Sequence, residues 1–268
     1  MPSLDPGEIL RSPVFEVGAF ALGTIVGSFA NVCIHRIPLG QSVVSPPSRC
    51  PRCDALIRPW DNVPVLSYLL LRGRCRRCHA PISARYPLVE AANGALWLAV
   101  AWRYGATPQA AVWMLLVTAL LVLGLIDQEH KILPDVITFP GIALGLLASF
   151  LPGSRVTPLD AAASAVGGYL TLALVAKAGE LWLRQEALGQ GDWKMTAMLG
   201  ACFGWQGMLL AVFLGTLLGA VVGVSMILLG RAGRRTAIPL GTFLALGGLV
   251  VVFSGRPLIA WYRGLLGG

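Results

Sequence analysis

Apolar residues in this chain run in long unbroken stretches. They do not alternate as in a half-buried strand, nor recur every three to four positions as in a soluble amphipathic helix. A helix needs about 20 mostly apolar residues to cross a bilayer. Stretches of that kind fall near 14–34, 87–104, 108–126, 136–152, 159–183, 193–204, 207–229 and 237–254, the sixth of them short. Gly-, Pro- and Arg-bearing segments separate them, so most connections read as tight turns. The pattern predicts an all-α polytopic membrane protein with about eight transmembrane helices. One polar insertion, 35–86, breaks it and is rich in Pro, Arg and Cys. The organisation expected is an N-terminal segment with the first helix (1–34), a soluble loop (35–86) and a transmembrane core (87–268).

Composition supports the membrane assignment. Only 13% of the 268 residues are charged and 56% are apolar, with a mean hydropathy of +0.71. That is too little polar surface for a soluble enzyme or a secreted disulfide scaffold. The 32 Gly and 18 Pro follow no fixed period, which excludes collagen and a disordered chain, and no internal repeat stands out. The formal charge of +8 encodes topology and not nucleic-acid binding. With 35–86 in the cytoplasm, alternation of sides gives that face nine loop arginines (36, 49, 52, 58, 72, 74, 76, 77 and 85). It also receives Lys131, Arg184, Lys194, Arg231, Arg234 and Arg235, fifteen of the 21 basic residues. Arg11, Arg103, Arg155, Arg256 and Arg263 fall opposite, so both termini are expected outside the cytoplasm. The opening MPSLDPGEILRSPVF has two acids, and no small-residue cleavage site follows the first apolar run. The first stretch is therefore expected to be a retained span and not a removed signal.

The insertion carries Cys50-Pro51-Arg52-Cys53 and Cys75-Arg76-Arg77-Cys78, with 21 residues between the pairs. Four thiolates so spaced can close a tetrahedron on one zinc, and a short loop without an apolar core needs such a staple. Four thiolates leave no open position for water, so the metal would be structural. Nearby arginines would favour the thiolate form. A disulfide pair would need an oxidising compartment. Cys75-Arg76-Arg77-Cys78-His79 also spells a haem c attachment site, but one that belongs outside the cytoplasm and leaves Cys50 and Cys53 without a role. His79 is then a neighbour or a minor alternative ligand. Cys33 and Cys202 read as small buried hydrophobes.

Acids at span edges are functional candidates by default. Asp127 ends the third span and Asp192 follows Gly189-Gln190-Gly191, both on the face assigned to the cytoplasm. Two close carboxylates in a low dielectric share a proton, so one can activate water while the other protonates the carbonyl oxygen or leaving amine. That is aspartic peptide hydrolysis. Helix capping is the structural alternative for Asp192 and for Asp135, which follows Pro134. The freedom of Gly189 and Gly191 suits a positioned catalytic group. Glu129, His130 and Lys131 read as solvated loop, Glu90 and Glu180 as groups near span ends, and Asn93 as an interhelical hydrogen-bond partner. Gly215–Gly223 reads as small-residue helix packing. No serine-nucleophile, HExxH or Walker motif is present. A transporter with a regulatory zinc loop would also explain the intramembrane acids.

Together these segments resemble the bacterial type IV prepilin peptidases, the prepilin leader peptidase/N-methyltransferases of the GxGD aspartic class. Gly27 to Pro38 is similar to that family's first-span signature. The CxxC pairs, Asp61-Asn62-Val63-Pro64-Val65 and Ser83 to Glu90 resemble its cytoplasmic loop. Asp127 with Leu133-Pro134-Asp135, and Gly189 to Lys194, resemble its two catalytic segments. The resemblance implies catalytic Asp127 and Asp192, and prepilins or type II secretion pseudopilins as substrates. Cleavage would follow a Gly on the cytoplasmic side of the bacterial inner membrane. The new N-terminal residue, usually Phe, would then be methylated with S-adenosylmethionine as donor. Membrane lipids would be the remaining partner and nucleic acid none. No individual methyl-donor ligand is carried over; Arg85 and Glu90 are candidates for that site or else ordinary loop anchors. A peptidase that has lost methylation, with the loop left as a folding element, is the nearest alternative. A preflagellin peptidase fits less well, because that group usually lacks the cysteine loop.

Overall fold

The computed structural model describes residues 12–154, 156–183, 189–230 and 239–265. Arg11, Arg155, Arg184, Arg231, Arg234 and Arg235, used in the charge assignment, lie outside the described residues. Eight helices are labelled here: α1 (Pro13–Arg36), α2 (Leu66–Leu70), α3 (Arg85–Tyr104), α4 (Pro108–His130), α5 (Asp135–Ala148), α6 (Pro158–Leu183), α7 (Gln190–Leu228) and α8 (Leu240–Leu265). Two single 3₁₀ turns, Ile37–Leu39 and Pro59–Asp61, complete the described helical residues. No strand longer than an isolated bridge occurs among the described residues.

Local chemistry sets several of these boundaries. Ser12 caps α1 by accepting the Phe15 N–H at 3.2 Å, Pro13 opens the first turn and Glu16 sits in it, while His35 and Arg36 close the last turn. Each feature complements the helix dipole or an unpaired end group. Five helices are long and apolar enough to cross a membrane: those at Pro13–Leu39, Pro108–His130, Pro158–Trp182, Gln190–Leu228 and Leu240–Leu265. The chain is a multi-pass membrane protein. The expected spans near 87–104 and 136–152 are helical but fall short of this standard. α3 has the length, but Glu90 and Asn93 break its apolar run, and the 14 residues of α5 rise only about 21 Å.

The spans expected at 193–204 and 207–229 form one element, α7, broken at Gly204, whose φ of 68° and ψ of 179° a side chain would not tolerate. The chain folds back there. A methyl placed on Gly168 of α6 would lie 3.2 Å from Thr196 Cγ2 and would also meet Met208 Sδ. Along a straight helix residues 196 and 208 would be about 18 Å apart. Limbs 190–203 and 205–228 therefore run side by side, antiparallel. The sequence pattern stopped the last helix at 254, yet α8 runs on to Leu265 through Pro257. Arg263 donates to Gln206 Oε1 at 2.6 Å and holds that extension.

The chain forms two compact units, Met1–Thr118 and Ala119–Gly268, divided within α4. In the first, α1 packs on α3 with backbone against backbone: methyls on Gly23, Gly27 and Gly94 would sit under 3 Å from the facing helix. Asn93, fully buried, donates to Gly23 O at 2.7 Å and accepts from Thr118 Oγ1 at 2.8 Å. It is the interhelical partner the sequence suggested. In the second unit α6, α7 and α8 pack together, and Gly215 and Gly219 lie against Phe243. Gly215–Gly223 thus behaves as a packing stripe.

Candidate active site

Asp127 lies in the last turn of α4 and is 5% exposed. Its Oδ2 accepts the backbone N–H of Thr242 at 2.7 Å, at the start of α8. Thr242 Oγ1 stands 3.2 Å from the same oxygen and 2.9 Å from Gly124 O, one proton with two acceptors. Asp192 is 8% exposed in the first turn of α7. Its backbone N–H donates to Gly189 O at 3.1 Å, and its carboxyl accepts in return from the Gly189 backbone N–H, a capping contact. The charge of Asp127 acts on Asp192, so two carboxyls 65 positions apart in sequence share one electrostatic environment.

Leu133 explains how the two segments meet. A methyl on Gly191 would lie 2.8 Å from Leu133 Cβ. One on Gly241 would lie 2.8 Å from Leu133 Cδ1 and 3.0 Å from Asp127 Cγ. Gly191 and Gly241 are thus needed for space. The backbone freedom expected at Gly189 and Gly191 plays no part, because Gly189 holds an ordinary extended conformation (φ −69°, ψ 145°) and Gly191 is helical.

Capping does not explain the neighbouring acids. Pro134 occupies the N-cap of α5 and Asp135, the first helical residue, makes no capping bond. The Asp135 carboxylate, 53% exposed, instead receives Lys194 Nζ at 2.7 and 2.9 Å. Lys194 also stands 5.5 Å over the Phe139 ring. The pair ties the residues after Asp127 to those after Asp192. Glu129, His130 and Lys131 are exposed as expected, but Glu129 and His130 belong to the last turn of α4 and not to a loop. Glu180 pairs with Lys177 at 2.7 Å.

In the cysteine loop the Sγ atoms of Cys50, Cys53, Cys75 and Cys78 all lie within 4.8 Å of one another. Cys50 and Cys78 are 3.8 Å apart, Cys53 and Cys75 4.0 Å. Four sulfurs held about 2.3 Å from a tetrahedral zinc are about 3.8 Å apart, so the cluster fits that ion. The two pairs are built alike. Cys50 N–H donates to Ala55 O and Asp54 N–H to Cys50 O, while Cys75 N–H donates to Ala80 O and His79 N–H to Cys75 O. Asp54 and His79 both take positive φ, 53° and 56°, and bridges Arg49–Leu56 and Arg74–Pro81 close the two turns. His79 closes a turn and stands outside the sulfur cluster. This is a local repeat, legible as R-C-x-R-C-x-A at 49–55 and 74–80 but too short to register as one in the sequence.

The backbone around the first sulfur of each pair favours its thiolate. Backbone N–H groups of Cys78 and Arg77 bring the Cys75 thiol down to about 6, and those of Arg52 and Cys53 lower Cys50. Backbone donation by Ala55 pulls Cys53 the same way, but desolvation and the surrounding thiols outweigh it and push that thiol up to about 11. Backbone donors, and not the arginines invoked from the sequence, favour the thiolates. Arg76 forms a bidentate pair with Asp61, at 2.6 to 3.0 Å, and holds that carboxyl below its usual range.

Residues 21–104 match the model of the bacterial peptidase A24 N-terminal domain, and residues 114–224 that of the type IV leader peptidase family. Similar proteins include a prepilin leader peptidase/N-methyltransferase of Pseudomonas putida, 42% identical over 93% of this chain and 94% of the relative. A protein of that name from Pseudomonas aeruginosa is 41% identical over 98% of both chains. Another, from Myxococcus xanthus, is 44% identical over 84% of this chain and 67% of its own. The chain belongs to the type IV leader peptidase family. No solved structure matches it. Within this leader peptidase, Asp127, Leu133, Asp192 and Lys194 fall in the matched 114–224 segment. Gly241 and Thr242, which sequence reasoning missed, lie beyond it. No local signal marks them, because their role exists only through contact with Asp127.

Proposed function

We propose that this leader peptidase cleaves type IV prepilins and pseudopilins with Asp127 and Asp192 as its catalytic pair, and then methylates the new N-terminus. The observation that carries the cleavage site is the burial of both carboxyls beside one leucine. Asp127 is fixed by Thr242, and the Asp192 carboxyl accepts from the Gly189 backbone N–H at the start of its own helix. One carboxylate takes a proton from water as it attacks the scissile carbonyl, and the other, protonated, donates to the carbonyl oxygen and then to the leaving amine. Burial keeps bulk water from levelling the difference between them.

A prepilin leader is basic and precedes an apolar helix, so the scissile bond lies at the membrane interface, where α4 ends and α7 begins. We place that face in the cytoplasm and the protein in the bacterial inner membrane, on the basic residues of the 35–86 loop. Cys50, Cys53, Cys75 and Cys78 would hold one zinc, which when bound supplies a rigid fold for the loop and no open coordination position. S-adenosylmethionine is the methyl donor that the N-methyltransferase activity requires.

The test is intact mass spectrometry of a prepilin incubated with the full protein in detergent and S-adenosylmethionine. Asp127→Asn and Asp192→Asn run in parallel. Leader loss in wild type and its absence in both folded variants is expected. Continued cleavage by either variant would remove that residue from the pair and make Asp135 the next candidate.

A further inference from the structure

The first unit holds a buried carboxylate that the cleavage pair does not use. Glu90 sits in the second turn of α3 and is 8% exposed. Its Oε2 accepts the backbone N–H of Val65 at 2.7 Å. Its other oxygen, Oε1, has no hydrogen-bond partner among the described residues. Oε1 is not among the fully buried atoms that lack a partner, so it opens to the surface and can meet a solute. α1 closes one side of the residue, for a methyl on Gly27 would lie 2.8 Å from Glu90 Cα.

The residue that donates to Glu90 is itself strained. Val65 has φ 60° and ψ −50°, a conformation a β-branched side chain rarely adopts. Such strain persists where the surroundings over-determine it, and it gathers at functional sites. The surroundings here lead back to the cysteine pairs. Arg76, between Cys75 and Cys78, grips Asp61, Asp61 closes the 59–61 turn, and Pro64 and Val65 follow. A metal-held knuckle with no chemistry of its own thus fixes the N–H that fixes Glu90.

We propose that Glu90 binds the newly exposed N-terminal ammonium of the cleaved substrate through Oε1 and removes its proton for methyl transfer. An α-ammonium titrates at about 7.7–8.0, so at neutral pH the product of cleavage is mostly protonated and has no lone pair to offer. Glu90 takes one proton from it. The freed nitrogen pair forms a bond to the methyl carbon of the sulfonium donor. The carbon–sulfur bond breaks with its electrons going to sulfur, which leaves a neutral thioether and a methylated ammonium. Glu90 then loses its proton to water.

This role rests on the bifunctional reading of the chain. The experiment is intact mass spectrometry on full-length wild type, Glu90→Gln and Glu90→Asp, with a prepilin and S-adenosylmethionine. The carbonyl oxygen of the substituted glutamine would still accept the Val65 N–H, so the loop keeps its anchor. E90Q is expected to remove the leader at the wild-type rate and keep its bound metal, while the kcat of methyl addition falls about 100-fold or more. The KM for the donor stays unchanged and E90D falls between. An E90Q that methylates at the wild-type rate would overturn the proposal. So would an E90Q that loses metal, cleavage and methylation together, since that describes a purely structural residue, and E90D with full metal content then serves as the second check. Wild type that cleaves and never methylates would instead overturn the bifunctional reading, and Glu90's role with it.

Discussion

Gly191→Ala separates the geometry of the site from the stability of the fold. Gly191 is helical, so alanine should favour α7 by up to about 1 kcal/mol. The added methyl, however, would stand 2.8 Å from Leu133 Cβ and 3.4 Å from Leu133 N. Carbon atoms rest at about 3.5–4.0 Å, so the two segments must part by about 0.7 Å. A Cβ cannot swing aside by changing rotamer, so the backbone must yield, at about 1–3 kcal/mol. The two stability terms nearly cancel. The displacement falls between Leu133, packed beside Asp127, and the residue next to Asp192, and positional errors of this size cost about 10- to 100-fold in rate. Prepilin cleavage followed by mass, with thermal melting of the same sample, should show kcat/KM down by that factor and the melting temperature little changed. Leu133→Ala retains Cβ and should not rescue Gly191→Ala. It should partly rescue Gly241→Ala, where the clash is with the Leu133 δ-methyls. Cleavage by Gly191→Ala within about threefold of wild type, or its rescue by Leu133→Ala, would refute the reasoning.

Lys194→Met breaks the pair with Asp135; at this exposure the ion pair is worth about 0–1 kcal/mol, so melting should barely move while cleavage slows several-fold, read by the same mass assay. Removal of metal with a chelator should make the 35–86 loop sensitive to protease and stop methylation while leader cleavage continues, because the cleavage pair lies in the other unit. Arg76 holds Asp61 below its usual range, so the stabilisation of the loop by this pair is complete above the unfolded value of about 3.9 and is lost as pH falls through the lowered one. Protease sensitivity of the loop in wild type and Arg76→Met should therefore differ above about pH 4 and converge below it; a difference that persisted into strong acid would contradict the assignment.

Segment-level features of the protein were legible because their causes are local. Long apolar stretches commit the backbone to helix, since a bilayer offers it no other partner, and each predicted stretch overlaps a helix among the described residues, although 149–152 lie beyond the end of α5. The break between the sixth and seventh stretches was visible, while its sharpness at Gly204 was not. The extension of α8 past residue 254 was missed, because the apolar stretch ends before Gly255 and Arg256 while the helix runs on through Pro257. The four cysteines announced their cluster through spacing alone.

What the tertiary structure alone decided is what each of these groups touches. Asp127 became a fixed carboxyl through Thr242, 115 residues away, and Asp135 became a strap for Lys194, which excludes the cap that its position after Pro134 suggested. Glu90 read as a group near a span end, and by resemblance as a methyl-donor-site candidate or a loop anchor; only the fold set its Oε2 under the Val65 N–H. The reason is physical. Helix formation and thiol spacing depend on neighbours within a few residues, whereas burial, pairing and close approach depend on segments the chain brings together only after it has folded.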